Sequence, residues 1–134
     1  MLLLLVVAVA VDAATHMKGI TKQCFKRARE RFGLKGAVQI HHIIPRQFGR
    51  HPVLADFAFE DGQNYMLMPT REGKVRLRTA RLCHEGGHCG YNRHVGKRLE
   101  EIYRGGGGGE GGVDDLLASL RRNLTSPTPC IPWE

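Results

Sequence analysis

Apolar side chains recur at helical spacing in two stretches of the chain. In residues 22–32 they can share one broad face, and Thr21 and Gly33 stand where a helix would begin and end. In residues 91–104 they recur every three or four positions, at Tyr91, Val95, Leu99 and Ile102. The pattern therefore predicts an N-terminal helix, whose other positions are largely basic, and a second amphipathic helix.

Two short apolar runs, each closed by a proline, predict strands. They cover residues 37–44 and residues 64–68. Between them, residues 46–63 predict a long loop with a short helix at residues 54–59. Residues 71–81 alternate basic and apolar side chains, which indicates a hairpin arm or a basic loop.

Residues 1–11 are wholly apolar. As a helix they would rise about 16 Å, which is too short for a bilayer core of roughly 30 Å. The length suits a secretory signal, and Val11 and Ala13 place small residues at the −3 and −1 positions of a cleavage after Ala13. The basic segment that usually begins such a signal is missing. Residues 1–14 are thus a possible signal peptide of a secreted protein. Two alternatives stay open, a buried first strand or a truncated gene, and without a signal peptide the protein would be intracellular.

The C-terminal part begins with a glycine-rich run at residues 105–112, which is typical of a flexible linker. A short helical pattern follows at residues 114–124, and the last residues are extended. The chain is therefore expected to hold one domain at residues 15–104, with residues 105–134 as linker, short helix and tail.

The chain is basic, with a net charge of +7. Nine of the 20 lysines and arginines lie in residues 18–50 and nine in residues 71–104. Such a charge favours an anionic partner, either nucleic acid or an acidic membrane surface, although it can serve solubility alone. No stable membrane insertion is expected.

Four of the seven histidines fall in two clusters, His41-His42 and the pair His84 and His88. Neutral imidazole binds transition metals, and its pKa near neutrality suits a general base. The clusters could therefore supply three ligands and one base. Adjacent residues of a strand point to opposite faces. His41 and His42 can then serve one site only if the backbone bends, or if metal and substrate straddle the strand end.

These segments together carry a family resemblance. The run Ile40–Pro45, the run Asn64–Pro69 and the His84-x3-His88 pair followed by Tyr91 resemble an HNH endonuclease. More narrowly they resemble the AHH branch of the HNH/endonuclease VII group, over about residues 37–103. The resemblance implies an α+β fold with a small ββα-metal core, and metal-dependent hydrolysis of nucleic-acid phosphodiesters.

The resemblance also implies roles for single residues. His42 matches the general base that activates water, and Asn64 matches the asparagine that braces its loop. His41, His84 and His88 match the ligands of one divalent ion, which could be Mg, Mn, Ni or Zn. Asn92 could touch metal or phosphate, because in some relatives of the wider group an Asn on this helix is itself a ligand, so the pair His88 and Asn92 stays open as an alternative to His84 and His88. Further phosphate contacts are expected from the basic residues Arg46, Arg50, Arg93 and Lys97.

Two departures from the family pattern stand out. Ile40 occupies the position where the AHH name implies alanine, and a long basic interval separates Asn64 from His84. That interval is a candidate substrate-gripping arm. DNA is favoured over RNA as the substrate, and whether an inhibitor protein accompanies the enzyme is open.

Other interpretations compete with the nuclease. His84-Glu85-Gly86-Gly87-His88 is literally the HExxH motif of zinc metalloproteases, but that motif needs an uninterrupted helix, which its glycines disfavour. A zinc-stapled module that binds nucleic acid without cleaving it is a second alternative, and histidines that are merely structural are a third. The four cysteines could form disulfides or stay as thiols.

Overall fold

The computed structural model describes residues 20–84, 86–106, 110–126 and 128–133. The possible signal peptide at residues 1–14 lies outside them. In these described ranges, four α-helices and a two-stranded antiparallel sheet confirm the predicted α+β class. The elements are α1 (Lys22–Arg31), β1 (Val38–His42), β2 (Tyr65–Pro69), α2 (Arg71–Leu77), α3 (Cys89–Arg104) and α4 (Glu110–Thr125). Within the described ranges, none of the helices combines the length and apolarity needed to cross a bilayer.

The sheet fixes the direction of the paired histidines. Strand β1 pairs with β2 in a register that sets His41 opposite Met66 and His42 opposite Tyr65. Directly paired residues share a face, and the next pair along the strand uses the other face. The backbone therefore sends the two histidines to opposite sides of the sheet. Both predicted strands are confirmed, with β2 beginning one residue after Asn64.

The main core lies between the sheet and the two longest helices. On α3, the predicted apolar positions Tyr91, Val95 and Leu99 are fully buried. The leucines of α4, which the sequence analysis assigned to the C-terminal linker and tail, are packed into the same cluster. Burial of large apolar side chains stabilises by roughly 1.5–3 kcal/mol each, so α4 is part of the folded body. Its buried leucines are Leu116, Leu117, Leu120 and Leu124.

Helix α1 is attached to the sheet by less apolar surface than predicted. Phe25 is its one buried residue, and its ring meets the Tyr65 ring edge-on at a centroid distance of 5.6 Å. Cys24 is exposed, and Phe32 is 43% exposed. Thr21 is the N-cap residue, but its hydroxyl lies against the Cys24 thiol and makes no bond to a backbone N–H.

The prediction of a hairpin arm or basic loop at residues 71–81 was wrong. Helix α2 forms there because the Thr70 hydroxyl accepts a hydrogen bond from the Gly73 N–H at 3.0 Å and caps the first turn. Gly73 packs so closely on the backbone before β1 that a Cβ would lie 1.7 Å from the Ala37 carbonyl oxygen. The segment is therefore fixed against the sheet, and the proposed gripping arm is not a free extension.

The prediction of a short helix at residues 54–59 was also wrong. The local helix is a single 3-10 turn at Pro52–Leu54, which His51 caps through its ring. Pro52 presets the helical φ at the first position, where its missing N–H costs nothing. Beyond Leu54, which is buried, the chain continues through turns to the Gly62–Asn64 3-10 helix.

Candidate metal centre

Three histidines from separate elements converge at one end of the sheet. His41 comes from β1, His84 follows α2, and His88 stands directly before α3. One ring nitrogen of each lies within 4.8 Å of those of the other two. Nitrogens bound at about 2.1 Å to one tetrahedral ion lie about 3.4 Å apart, so the rings need to close by no more than about 1.4 Å for one ion to reach all three. The three residues could hold a single divalent metal ion.

A neighbouring amide orients His84. The Gln39 side-chain oxygen lies 2.6 Å from His84 Nδ1. Because an amide oxygen only accepts hydrogen bonds, Nδ1 carries the proton and Nε2 keeps a lone pair for a metal. Sequence reasoning missed Gln39, although it stands two positions before His41 and therefore on the same strand face.

Two ring nitrogens in this cluster have no hydrogen-bond partner among the residues that the structure describes. They are His41 Nε2 and His88 Nδ1, and both atoms are buried. Buried polar atoms are nearly always satisfied, so an unpartnered pair facing one cluster needs an explanation. A metal ion fits, because each nitrogen can donate a lone pair to it.

The local environment keeps these imidazoles neutral. Burial, aided by the neighbouring His84 and His88, lowers the pKa of His41 from 6.5 to about 3. Burial also lowers the pKa values of His84 and His88. Neutral imidazole is the form that binds a metal, so few protons compete with the ion at neutral pH.

The shifted pKa of His41 predicts a pH-dependent stability. With a chelator present, we expect the free energy of unfolding to fall as the pH drops from 6.5 towards 3. In this window His41 binds a proton only in the unfolded state, at a cost of up to about 1.4 kcal/mol per pH unit. Above pH 6.5 this contribution is fully present. Urea unfolding at pH 7, 6, 5 and 4 should give a flatter dependence for His41→Gln, and equal slopes in the two proteins would contradict the prediction.

An indole covers one side of the cluster. The Trp133 ring lies at a centroid distance of 4.1 Å from the His88 ring and 5.7 Å from the His41 ring. Its Nε1 donates to the Cys83 carbonyl oxygen at 3.1 Å. Sequence reasoning missed this residue, since nothing in the local pattern ties the C-terminal segment to the histidines.

His42 points away from the three clustered histidines, as strand geometry requires. Its Nε2 lies 3.2 Å from a Glu60 carboxylate oxygen, and its ring packs against the Tyr65 ring at 4.9 Å. Burial lowers the pKa of His42, whereas the hydrogen bond to Glu60 and its charge raise it. The net lowering favours the neutral ring, which is able to accept a proton. The hydrogen bond from Tyr65 is the main cause that lowers the pKa of Glu60. His41 and His42 could serve one site either through a bend in the backbone or with metal and substrate on the two sides of the strand end. Strand β1 pairs regularly with β2 through His42, so the second arrangement fits and the first does not.

Asn64 ties together the chain on both sides of the site. Its side-chain oxygen accepts from the Ile44 N–H at 2.7 Å, and its amide donates to the carbonyl oxygens of Ile44 and Phe59 at 3.1 and 3.2 Å. The residue is fully buried. These bonds hold the segment that follows His42, which is the geometry that a bracing role requires.

Removal of the Asn64 side chain should destabilise the fold. We expect Asn64→Ala to lower the free energy of unfolding by about 2–4 kcal/mol, because two buried backbone groups of Ile44 and the part-buried Phe59 carbonyl lose a partner, at about 1–3 kcal/mol for each buried group before relaxation. Urea unfolding measures the change. The control is Gln47→Ala, which truncates an exposed amide, and an Asn64→Ala effect below about 0.5 kcal/mol would contradict the prediction.

The other predicted site residues lie on the surface. Arg46 Nε is 3.3 Å from Glu60 and therefore next to His42. The Asn92 amide donates to the Gln47 side-chain oxygen at 3.4 Å. The remaining three, Arg50, Arg93 and Lys97, are exposed.

The metalloprotease geometry is absent from the described part of this motif. His84 and His88 precede α3, which begins at Cys89, and the residues described between them are not helical. Gly86 has φ +67°, a left-handed conformation that breaks a helix. The two histidines thus approach the cluster from a turn, where the HExxH motif needs one continuous helix. Among the residues that the structure describes, the four cysteines form no disulfide.

Comparison with known proteins agrees with this geometry. A family model described as a nuclease family of the HNH/ENDO VII superfamily with conserved AHH matches residues 23–124. Searches of curated proteins and of solved structures each gave no significant match. The matched part includes both strands, the three clustered histidines and nearly all of α4. The chain therefore belongs to the AHH family of nucleases in the HNH/ENDO VII superfamily.

Proposed function

We propose that this protein is a metal-dependent endonuclease in which His42 is the general base and His41, His84 and His88 hold one divalent ion. The observation that carries the proposal is the arrangement around β1. His41 lies in a cluster of ring nitrogens within 4.8 Å of one another, while the adjacent His42 projects from the other face.

Opposite faces suit hydrolysis of a phosphodiester. The attacking and departing oxygens lie roughly in line on either side of phosphorus. A base is needed beside the attacking water, and positive charge is needed beside the departing oxygen. His41 and His42 are the last two residues of β1, so we place the phosphate across the end of this strand, with the metal on one face and the base on the other.

The chain's own residues have separate roles in this reaction. His42 takes a proton from the attacking water, and Asn64 holds the segment that follows it through the bonds to Ile44. When bound, a divalent ion supplies positive charge to the phosphate and to the departing oxygen. His41, His84 and His88 are the residues that would hold it.

Exposed cations extend the proposed substrate surface. Arg46 and Arg50 follow β1, and Arg93 and Lys97 stand four residues apart on one face of α3. We assign them to phosphate contacts along the backbone, in keeping with the net charge of +7. Asn92, on the first turns of α3, is assigned to the metal or to a substrate phosphate.

Cleavage of nucleic acid tests this function. Supercoiled plasmid is incubated with the purified protein and Mg²⁺, Mn²⁺, Ni²⁺ or Zn²⁺, with and without EDTA, and a parallel set uses RNA. The proposal predicts nicked or linear DNA with at least one metal and none with EDTA. DNA that is retarded in a gel but stays intact with every metal would favour the non-catalytic binding module.

A further inference from the structure

We propose that Glu60 is a positioning residue for His42, which fixes the imidazole so that Nδ1 is the nitrogen that faces the attacking water. The inference rests on the proposed function of His42 as the base. Glu60 lies in the loop between the strands, eighteen residues from His42.

Contacts from three directions converge on the Glu60 carboxylate. His42 Nε2 lies 3.2 Å from Oε1, and Arg46 Nε lies 3.3 Å from the same oxygen. The Tyr65 hydroxyl donates to Oε2. Tyr65 is also the cross-strand partner of His42. The carboxylate therefore joins the last residue of β1 to the first residue of β2.

These contacts determine which nitrogen of His42 carries the proton. An ionised carboxylate can only accept hydrogen bonds, so the bond to Glu60 requires a proton on His42 Nε2. The lone pair is then on Nδ1. When Nδ1 takes the proton from water, the imidazolium stays hydrogen-bonded to a carboxylate, which stabilises the charge that the ring acquires.

Glu60 has no evident role in binding the substrate directly. Its side chain is 53% exposed and negatively charged, beside the cation Arg46 that we assign to a phosphate. A carboxylate at this place repels a phosphate backbone. Its removal should therefore leave substrate binding unchanged or tighter, while the chemical step slows.

The test compares Glu60→Gln and Glu60→Ala with the control Asp56→Asn. Asp56 is an exposed carboxylate of the same loop, so its substitution makes the same change in charge as Glu60→Gln. We expect kcat to fall about tenfold to hundredfold in both Glu60 variants, with KM unchanged or lower. Asp56→Asn should keep kcat. An unchanged kcat in Glu60→Ala, or a loss of activity that appears only as a higher KM, would overturn the proposal.

NMR of the His42 ring provides a readout that does not depend on activity. Long-range ¹H–¹⁵N correlations should show the proton on Nε2 in the native protein and a mixture of tautomers in Glu60→Ala. The same tautomer population in both proteins would overturn the positioning role. If the native protein cleaves nothing but the tautomer shifts as expected, then the proposed function fails, and only the part of the inference in which Glu60 fixes the His42 tautomer stands. Thermal unfolding of each variant identifies any that does not fold, and Glu60→Gln is the variant that best keeps the side-chain shape.

Discussion

His42→Ala is expected to slow phosphodiester cleavage by a factor of about 10² to 10⁴ while metal affinity stays unchanged. The two effects separate because His42 is the base on one face of β1, and the proposed ligand His41 is on the other. His42 contacts Glu60 and Tyr65, and it is not among the three histidines whose ring nitrogens cluster. Steady-state cleavage of a labelled duplex and calorimetric titration with Zn²⁺ measure the two quantities.

The matched control for this experiment is His94→Ala. His94 is a partly buried histidine of α3 that the proposed chemistry does not use. The His94→Ala variant should cleave at a rate within about threefold of the native protein. If His42→Ala cleaves as fast as the native protein, or if it loses the metal, then His42 does not have the role that we propose.

The second large effect should come from His41→Ala and His88→Ala. Each variant removes one of three ligands, so we expect metal affinity to fall by more than about 100-fold and cleavage to be lost with it. This combination differs from His42→Ala, which loses cleavage alone. Removal of a residue that hydrogen-bonds to a metal ligand typically lowers metal affinity or activity by about 10–100-fold, so loss of a ligand itself should lower the affinity further.

Trp133 provides a direct optical measurement of that affinity. It is the only tryptophan of the chain, and its ring lies 4.1 Å from the His88 ring. A quenching ion such as Ni²⁺ bound at the cluster should lower its fluorescence in the native protein and in His42→Ala. His41→Ala should need a far higher Ni²⁺ concentration. Equal titration curves for native protein and His41→Ala would contradict a site built on His41.

The histidine cluster could be predicted in part from local rules and in part from the family resemblance. Strand alternation sends His41 and His42 to opposite faces, and that expectation holds in the fold. The His84 and His88 pair is close in sequence, so its members had to lie near each other. The resemblance of these segments to a nuclease family supplied the remaining link, which was that the two histidine clusters meet.

Other parts of the site depend on contacts that no local pattern specifies. Glu60 reaches His42 across a long irregular loop, and Trp133 reaches His88 from the C-terminal segment. Helix α2 was misread because its alternating basic and apolar residues resemble a strand, while the deciding features were a Thr70 cap and the packing of Gly73 on Ala37. Tertiary packing overrides a short periodic pattern in such cases.

Anomalous X-ray diffraction from crystals soaked in Zn²⁺ or Ni²⁺ would locate the bound ion. We predict one strong peak within about 2.0–2.2 Å of a ring nitrogen from each of His41, His84 and His88, with His42 outside the coordination shell. A peak that lacks any of these three histidines, or the absence of a peak from the cluster at saturating metal, would contradict this prediction.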